Sequence, residues 1–288
     1  METWTVETDD DGGLLEVHSF GPAGGAAFPG AQRATSGPGV VLVHGTLVTD
    51  SLYWQFARHL SALLGRPVHT YNRRGRGGSA PQPSNYSAET EINDLTAVMK
   101  ASESTEVVGH SFGGFVALQT ARQGTISRLV TYDAAVSFSG SLNGRWRPEL
   151  EESLTAGQLD QAWAHLVQGL GTAGPISYLP LGALRLLSIL SAKTRLGYEM
   201  RGLLPAAVLE MHAVLDAESS IEDFAALETP TLMLSGGWSP AYFAAIARQV
   251  AAVAPAVVES GVVPFHFHDG PIRPGKLLAE RIAKYLAA

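Results

Sequence analysis

The stretch Val107-Val108-Gly109-His110-Ser111-Phe112-Gly113-Gly114 constrains this chain more than any other. Two β-branched apolar residues read as the end of a buried strand. Gly-x-Ser-x-Gly then reverses the chain, and Phe115 to Arg122 reads as a helix. In a strand–turn–helix setting this turn lifts the serine hydroxyl off the top of a sheet. Gly109 and Gly113 are small because strand and helix must pass close beside Ser111. The amide of Phe112 falls at a helix N-terminus, where free N–H groups attract developing negative charge.

What surrounds that turn reads as alternating strands and helices. Thr3 to Thr8 and Leu14 to Phe20 form a hairpin across Asp11-Gly12-Gly13, and Gly21 to Gly39 reads as a long Gly/Ala/Pro-rich surface loop. Strands follow at Val40–Val43, Val68–Tyr71, Glu106–Val108, Arg128–Tyr132, Thr231–Ser235 and Ala256–Ser260. Helices fall over Tyr53–Leu64, after Ser87, over Tyr242–Val253 and over Pro274–Leu286. The fold class is α/β, with a mostly parallel sheet covered by helices on both faces. In such sheets sites form beyond the carboxyl ends of the strands, and Thr46, Ser111 and Asp133 each follow such an end. From about Ser139 to Ala217 the alternation stops in favour of apolar helical segments. This predicts a helical cap, 139–217, inserted into a core of 1–138 and 218–288.

Composition narrows the function classes. A length of 288 residues with 45% hydrophobic and 16% charged residues describes a globular chain able to bury a large core. The net charge of −7 argues against nucleic acid and anionic membranes as partners. With no cysteine there is no disulfide frame, thiolate metal site or cysteine nucleophile. The acidic N-terminus has no signal-peptide core, and the longest apolar run, Ile176 to Ala192, is broken by Pro180 and Arg185. A soluble, cytoplasmic protein acting on a small molecule is expected, without cofactor or metal. Composition leaves the oligomeric state open.

Val41-Leu42-Val43-His44-Gly45, Tyr71-Asn72-Arg73-Arg74-Gly75-Arg76-Gly77-Gly78-Ser79, Gly109-His110-Ser111-Phe112-Gly113-Gly114 and a late histidine before a terminal helix together resemble the α/β-hydrolase fold family, in its helical-capped serine esterase and perhydrolase-like branch. The resemblance implies Ser111 as nucleophile, a late histidine as base, an aspartate as its orienter, and the N–H groups of Thr46 and Phe112 as an oxyanion hole. Such a serine is weak until a base takes its proton, and a carboxylate holds that base in the right tautomer. Many members carry the acid after the strand that matches Thr231–Ser235. Here that loop is Gly236-Gly237-Trp238-Ser239-Pro240, so Asp133 is the expected acid, ahead of Asp216, Asp223 and Asp269. For the base, His266 is preferred over His268 because His266-Phe267 matches a His-Phe pattern in relatives. Alternate residues of an extended chain face the same way, so His268 stays open. His44 reads as a brace for the loop that carries Thr46, and the arginines of the 73–76 loop as ties between loops. The implied activity is hydrolysis of an ester or thioester of a small, fairly apolar molecule. Cofactor-free lyase, acyl-transfer or perhydrolase chemistry, or ligand binding with little turnover, are the alternatives on the same fold.

Overall fold

The computed structural model describes residues 1–22, 38–138, 140–142, 144–217, 220–273 and 275–288. Most of the segment read as a Gly21–Gly39 loop lies outside these residues, as do Ser139 and Pro274, the first residues expected for the cap and the last helix.

Among the described residues, one sheet has the order β1-β2-β4-β3-β5-β6-β7-β8. Its strands are β1 (Glu2–Glu7), β2 (Leu14–Phe20), β3 (Val40–Val43), β4 (Val68–Tyr71), β5 (Glu106–His110), β6 (Arg128–Tyr132), β7 (Thr231–Gly236) and β8 (Val257–Val263). The β1–β2 hairpin joins antiparallel to β4, and every later pairing is parallel. Alternating side chains on each strand go to opposite faces. Val41, Val43, Val107, Leu129 and Met233 enter one core with helices α2 (Ala88–Ala101), α3 (Phe112–Ala121) and α9 (Ala241–Val253). Val40, Leu42, Val108, Val130 and Leu232 enter the other, with α1 (Trp54–Leu64) and α10 (Lys276–Leu286). Strands covered on both faces read as continuous apolar runs, which is why they stand out in the sequence.

Strand register positions the site. Val43 pairs with Gly109, His110 with Tyr132, and Tyr132 with Leu234. The carboxyl ends of β3, β5, β6 and β7 therefore finish at one level, and the loops carrying Thr46, Ser111, Asp133 and Ser239 leave from the same rim.

Between β6 and β7 the chain forms α4 (Arg147–Thr155), α5 (Leu159–Leu170), α6 (Leu181–Ser191), α7 (Arg195–Gly202) and α8 (Leu204–Asp216). These helices have apolar clusters of their own. Leu150, Leu166, Leu203 and Leu204 form one, and Ala164, Val167 and Leu184 another.

Several element boundaries differ from the sequence reading by a residue or two, and two differ by three residues. The α3 helix begins at Phe112 rather than Phe115, because Gly113 and Gly114 are helical despite glycine's poor propensity. β8 runs on to Val263, since its pairing with β7 continues as far as Gly236.

Candidate active site

Ser111 sits between β5 and α3 with φ +56° and ψ −120°, a conformation costly for a residue with a Cβ. Neighbouring hydrogen bonds hold it there. Its N–H donates to Tyr132 O at 3.0 Å, and its carbonyl accepts from the N–H groups of Gly114, Phe115 and Ala135. The turn also requires both flanking glycines. A Cβ on Gly109 would stand 2.5 Å from the Gly113 carbonyl, and one on Gly113 would collide with the Val43 carbonyl.

Asp133 follows β6, also with positive φ (+47°), and is fully buried. Its N–H donates to Leu234 O at 2.9 Å, so the chain is still pinned to the sheet as it turns. The carboxylate accepts from the Gly236 N–H at 3.1 Å and from the Ser239 hydroxyl at 2.5 Å. His268 completes a line. Its Nδ1 lies 3.1 Å from Asp133 Oδ2 and its Nε2 lies 3.1 Å from Ser111 Oγ. A carboxylate oxygen facing Nδ1 places the ring proton on that nitrogen, which leaves Nε2 free to accept from the serine hydroxyl. The His268 ring stacks on Phe243 at 4.9 Å and 12°.

The preference for His266 over His268 is therefore corrected. His266 donates through Nδ1 to the Pro264 carbonyl at 2.8 Å, while His268 lines the cavity and reaches both Ser111 and Asp133. The reason is backbone shape. After β8 the chain is not extended but turns at Phe265 (φ +60°). The Tyr132 hydroxyl donates to Phe267 O at 2.6 Å, and His110 Nε2 bonds His268 O at 2.7 Å. These two anchors present His268 and turn His266 aside. Of the rival acids, Asp223 accepts from the Ser220 N–H, Asp269 pairs with Arg273, and Asp216 ends α8.

Thr46 and Phe112 both line the cavity beside Ser111. Phe112 is the first residue of α3, so its N–H lies in the turn that lacks intrahelical acceptors. The Thr46 N–H is aimed by the other side of its own peptide. The Gly45 carbonyl accepts from His44 Nδ1 at 2.8 Å and from Arg73 Nη2 at 3.0 Å. A trans peptide points its C=O and N–H in opposite directions, so fixing one fixes the other. His44 can play this part only as a neutral ring. Its Nε2 accepts from the Arg73 N–H at 3.2 Å, which leaves the proton on Nδ1, and burial pushes its pKa well below the usual histidine range. His110 is likewise held neutral by burial. Its Nε2–H donates to His268 O, so its Nδ1 accepts from the Tyr53 hydroxyl at 2.6 Å, and that hydroxyl accepts from the Gly45 N–H at 3.1 Å. One chain of hydrogen bonds thus joins the loops that carry Thr46, Ser111 and His268.

Beneath the Thr46 loop lies a buried charge cluster. Arg73 donates to Glu91 at 2.8 Å and pairs with Glu210 of α8 at 2.9 Å; Arg76 pairs with the same Glu210 oxygen at 2.5 Å. All four side chains are buried. Burial by itself raises the Glu210 carboxyl, but the two guanidiniums outweigh it and hold the pKa below the usual carboxylate range. The Arg73 guanidinium also lies over the Phe112 ring, 4.5 Å from its centroid.

Ser111 and His268 open onto a cavity of about 730 Å³. Its walls are mainly apolar: Leu47, Trp146, Trp163, Leu166, Met211 and Phe243 contribute from both the core and the β6–β7 helices. Among the described residues, no group of three or more His, Cys, Asp or Glu side chains is placed to hold a metal ion.

The model of the alpha/beta hydrolase family matches residues 40–279, which includes every residue of this site. The chain belongs to the alpha/beta hydrolase family. An alpha/beta hydrolase from Sphaerobacter thermophilus is 24% identical, with a TM-score of 0.71 over 98% of this chain and 100% of that one. A thermophilic esterase from Thermogutta terrifontis is 19% identical, with a TM-score of 0.68 over 100% of this chain and 98% of that one. Likeness at this level shows the shared fold. Lipase LipV of Mycobacterium tuberculosis is 30% identical over 131 residues, 44% of this chain and 44% of that protein.

For this member of the family, three contributors escape sequence reading. Ser239 lies in the loop passed over for lacking a carboxylate, yet its hydroxyl serves the carboxylate of the neighbouring strand. Tyr53 is one aromatic residue among many in an amphipathic helix start. Glu210 is a charge within an apolar helix, and a charge on such a face was the one available signal. Leu184 and Leu187, on α6 within the segment expected to form the cap, are not among the residues that line the cavity.

Proposed function

We propose that this chain is a serine hydrolase that cleaves carboxylic esters or thioesters of apolar molecules through an acyl-enzyme. The observation that carries the reading is the line Asp133–His268–Ser111, with both links at 3.1 Å, ending at the wall of an apolar cavity. Ser111 Oγ attacks the acyl carbon while His268 Nε2 takes its proton. Asp133 stabilises the imidazolium that results. The N–H groups of Thr46 and Phe112 receive the oxyanion. His268 returns the proton to the departing alcohol or thiol, and a water activated by His268 then releases the acid. The helices between β6 and β7 act as a cap that sets the size of the acyl or alcohol group. The lipase and esterase among the compared proteins carry names of the same reaction class. No step calls on a cofactor, and cytoplasmic action on a small molecule is part of this reading.

A fluorophosphonate probe tests it. One adduct is expected, at Ser111, and Ser111→Ala removes both the adduct and the release of acid from p-nitrophenyl esters. Labelling that persists in Ser111→Ala sinks the proposal, and a product mixture without acid points to lyase chemistry.

A further inference from the structure

Among the described residues, eighteen large apolar side chains are exposed, and nine of them fall between Ile176 and Tyr198. Chance does not concentrate them so, and a soluble surface rarely leaves such a patch without a use. The α6 helix is the centre of it. Leu184 and Ser188, one turn apart, are its buried face; Ser188 donates to Asp160 of α5 at 2.8 Å. Leu186, Leu187, Ile189 and Leu190 point away from that face, between 38% and 55% exposed. At 3.6 residues per turn these four cover an arc of about 160°. The preceding short 3-10 turn (Gly174–Tyr178) adds Ile176 and Tyr178, which are exposed and also line the cavity. Ala173 and Pro175 beside them are likewise exposed and line it, so this turn forms part of the cavity's rim.

Charge indicates what covers this face. The chain holds 27 acidic residues, but none occurs from Gln161 to Tyr198, where Arg185, Lys193 and Arg195 are the charged residues. All three are exposed, and Arg195 pairs with Glu199 one turn on. The net charge of −7, which for the chain as a whole argues against anionic membranes, is thus unevenly spread, and the apolar face departs from it by carrying only positive charge within it. Exposed leucines flanked by Lys and Arg suit an anionic lipid–water interface, where apolar side chains enter the acyl boundary and cations meet headgroups.

We propose that the α6 face docks on an anionic lipid surface, so that the cavity mouth at Ile176 and Tyr178 receives esters that partition into lipid. The substrate half of this statement rests on the hydrolase reading above; the docking half does not.

The test uses the full chain with phosphatidylcholine vesicles containing phosphatidylglycerol. Wild type is expected to sediment with the vesicles, less so at high salt. L186D/L190D, altered at two exposed positions outside the cavity lining, is expected to lose at least about tenfold in partitioning. The same variant keeps fluorophosphonate labelling and hydrolysis of soluble p-nitrophenyl acetate, and loses activity on the same acyl ester presented in vesicles. Wild type that stays in the supernatant overturns the proposal, as does a variant that binds like wild type. It is also overturned if wild type is a dimer in sedimentation velocity and L186D/L190D is a monomer, because the face then belongs to a second copy. Sedimentation without Ser111 labelling refutes the hydrolase reading and leaves the docking surface standing; labelling without sedimentation does the reverse.

Discussion

Glu210→Gln separates what the buried charge cluster does for stability from what it does for the oxyanion loop. Glu210 is fully buried, and its Oε1 receives both Arg73 and Arg76. The amide keeps the volume and removes the charge. Arg73 keeps Glu91 at 2.8 Å, but Arg76 is left with the carbonyls of Val48 and Arg74. Breaking a buried pair in this way costs about 3–5 kcal/mol, which lowers Tm by roughly 6–20 °C for a domain of this size. The kinetic effect runs through Arg73. Without Glu210 its guanidinium is drawn toward Glu91, and its hold on the Gly45 carbonyl slackens. Complete loss of one oxyanion donor costs about a hundred- to a thousandfold in turnover. A loosened donor at Thr46 is expected to cost about tenfold in kcat with KM nearly unchanged, the signature of an interaction made in the transition state. The control is Asp94→Asn. Asp94 is equally buried and accepts from Arg74 Nε and Nη2, yet touches no part of the Thr46 loop. It should lose stability and keep kcat. Thermal unfolding and p-nitrophenyl ester kinetics on both variants decide the matter. If Glu210→Gln loses Tm with wild-type kcat, or if the two variants lose kcat alike, the proposed coupling between α8 and the oxyanion loop is refuted.

Further outcomes follow from single contacts. Ser239→Ala removes a donor to the charged Asp133 carboxylate and should lower kcat about tenfold to a hundredfold, by the usual 1.5–3 kcal/mol for such bonds; unchanged kcat would show that Ser239 is dispensable. Trp163→Ala widens the cavity and should move the acyl-chain optimum upward, whereas Leu184→Ala should leave preference alone and cost about 2–5 kcal/mol of stability; chain-length profiles and denaturant titrations read both. His18 gives a pH test. Burial works against its charge, but the Asp50 carboxylate at 2.7 Å prevails and raises its pKa. A raised folded-state pKa stabilises fully below the unfolded value and is lost as pH rises through the folded one. The stability difference between wild type and His18→Gln should therefore shrink as pH rises above about 6.5; a gap that is flat or widening counts against the charged pair.

The chemistry of the proposed site was legible where it depended on local backbone. Ser111 could be read from glycines that only a strand–turn–helix reversal needs, and the strands from apolar runs that only two-sided burial needs. Asp133 could be read because the strand after the elbow ends there and the later loop has no carboxylate. Each of these turns on a few consecutive residues and on the order of elements along the chain.

The choice between His266 and His268 had no such local basis. The two lie on one short segment, and a period-two argument presents both rings alike. Only hydrogen bonds from Tyr132 and His110, each more than 130 residues away in sequence, bend the segment so that His268 meets Ser111. Ser239 and Glu210 escaped for the same reason. Their partners Asp133 and Arg73 are 106 and 137 residues distant, and a sequence carries no record of which distant polar group a buried side chain will meet. The sequence alone determined where the chain reverses and which faces are apolar, because those are properties of neighbouring residues. Which histidine, which hydroxyl and which buried charge serve the serine was decided by the tertiary structure, because buried polar groups take the partners that packing brings within about 3 Å.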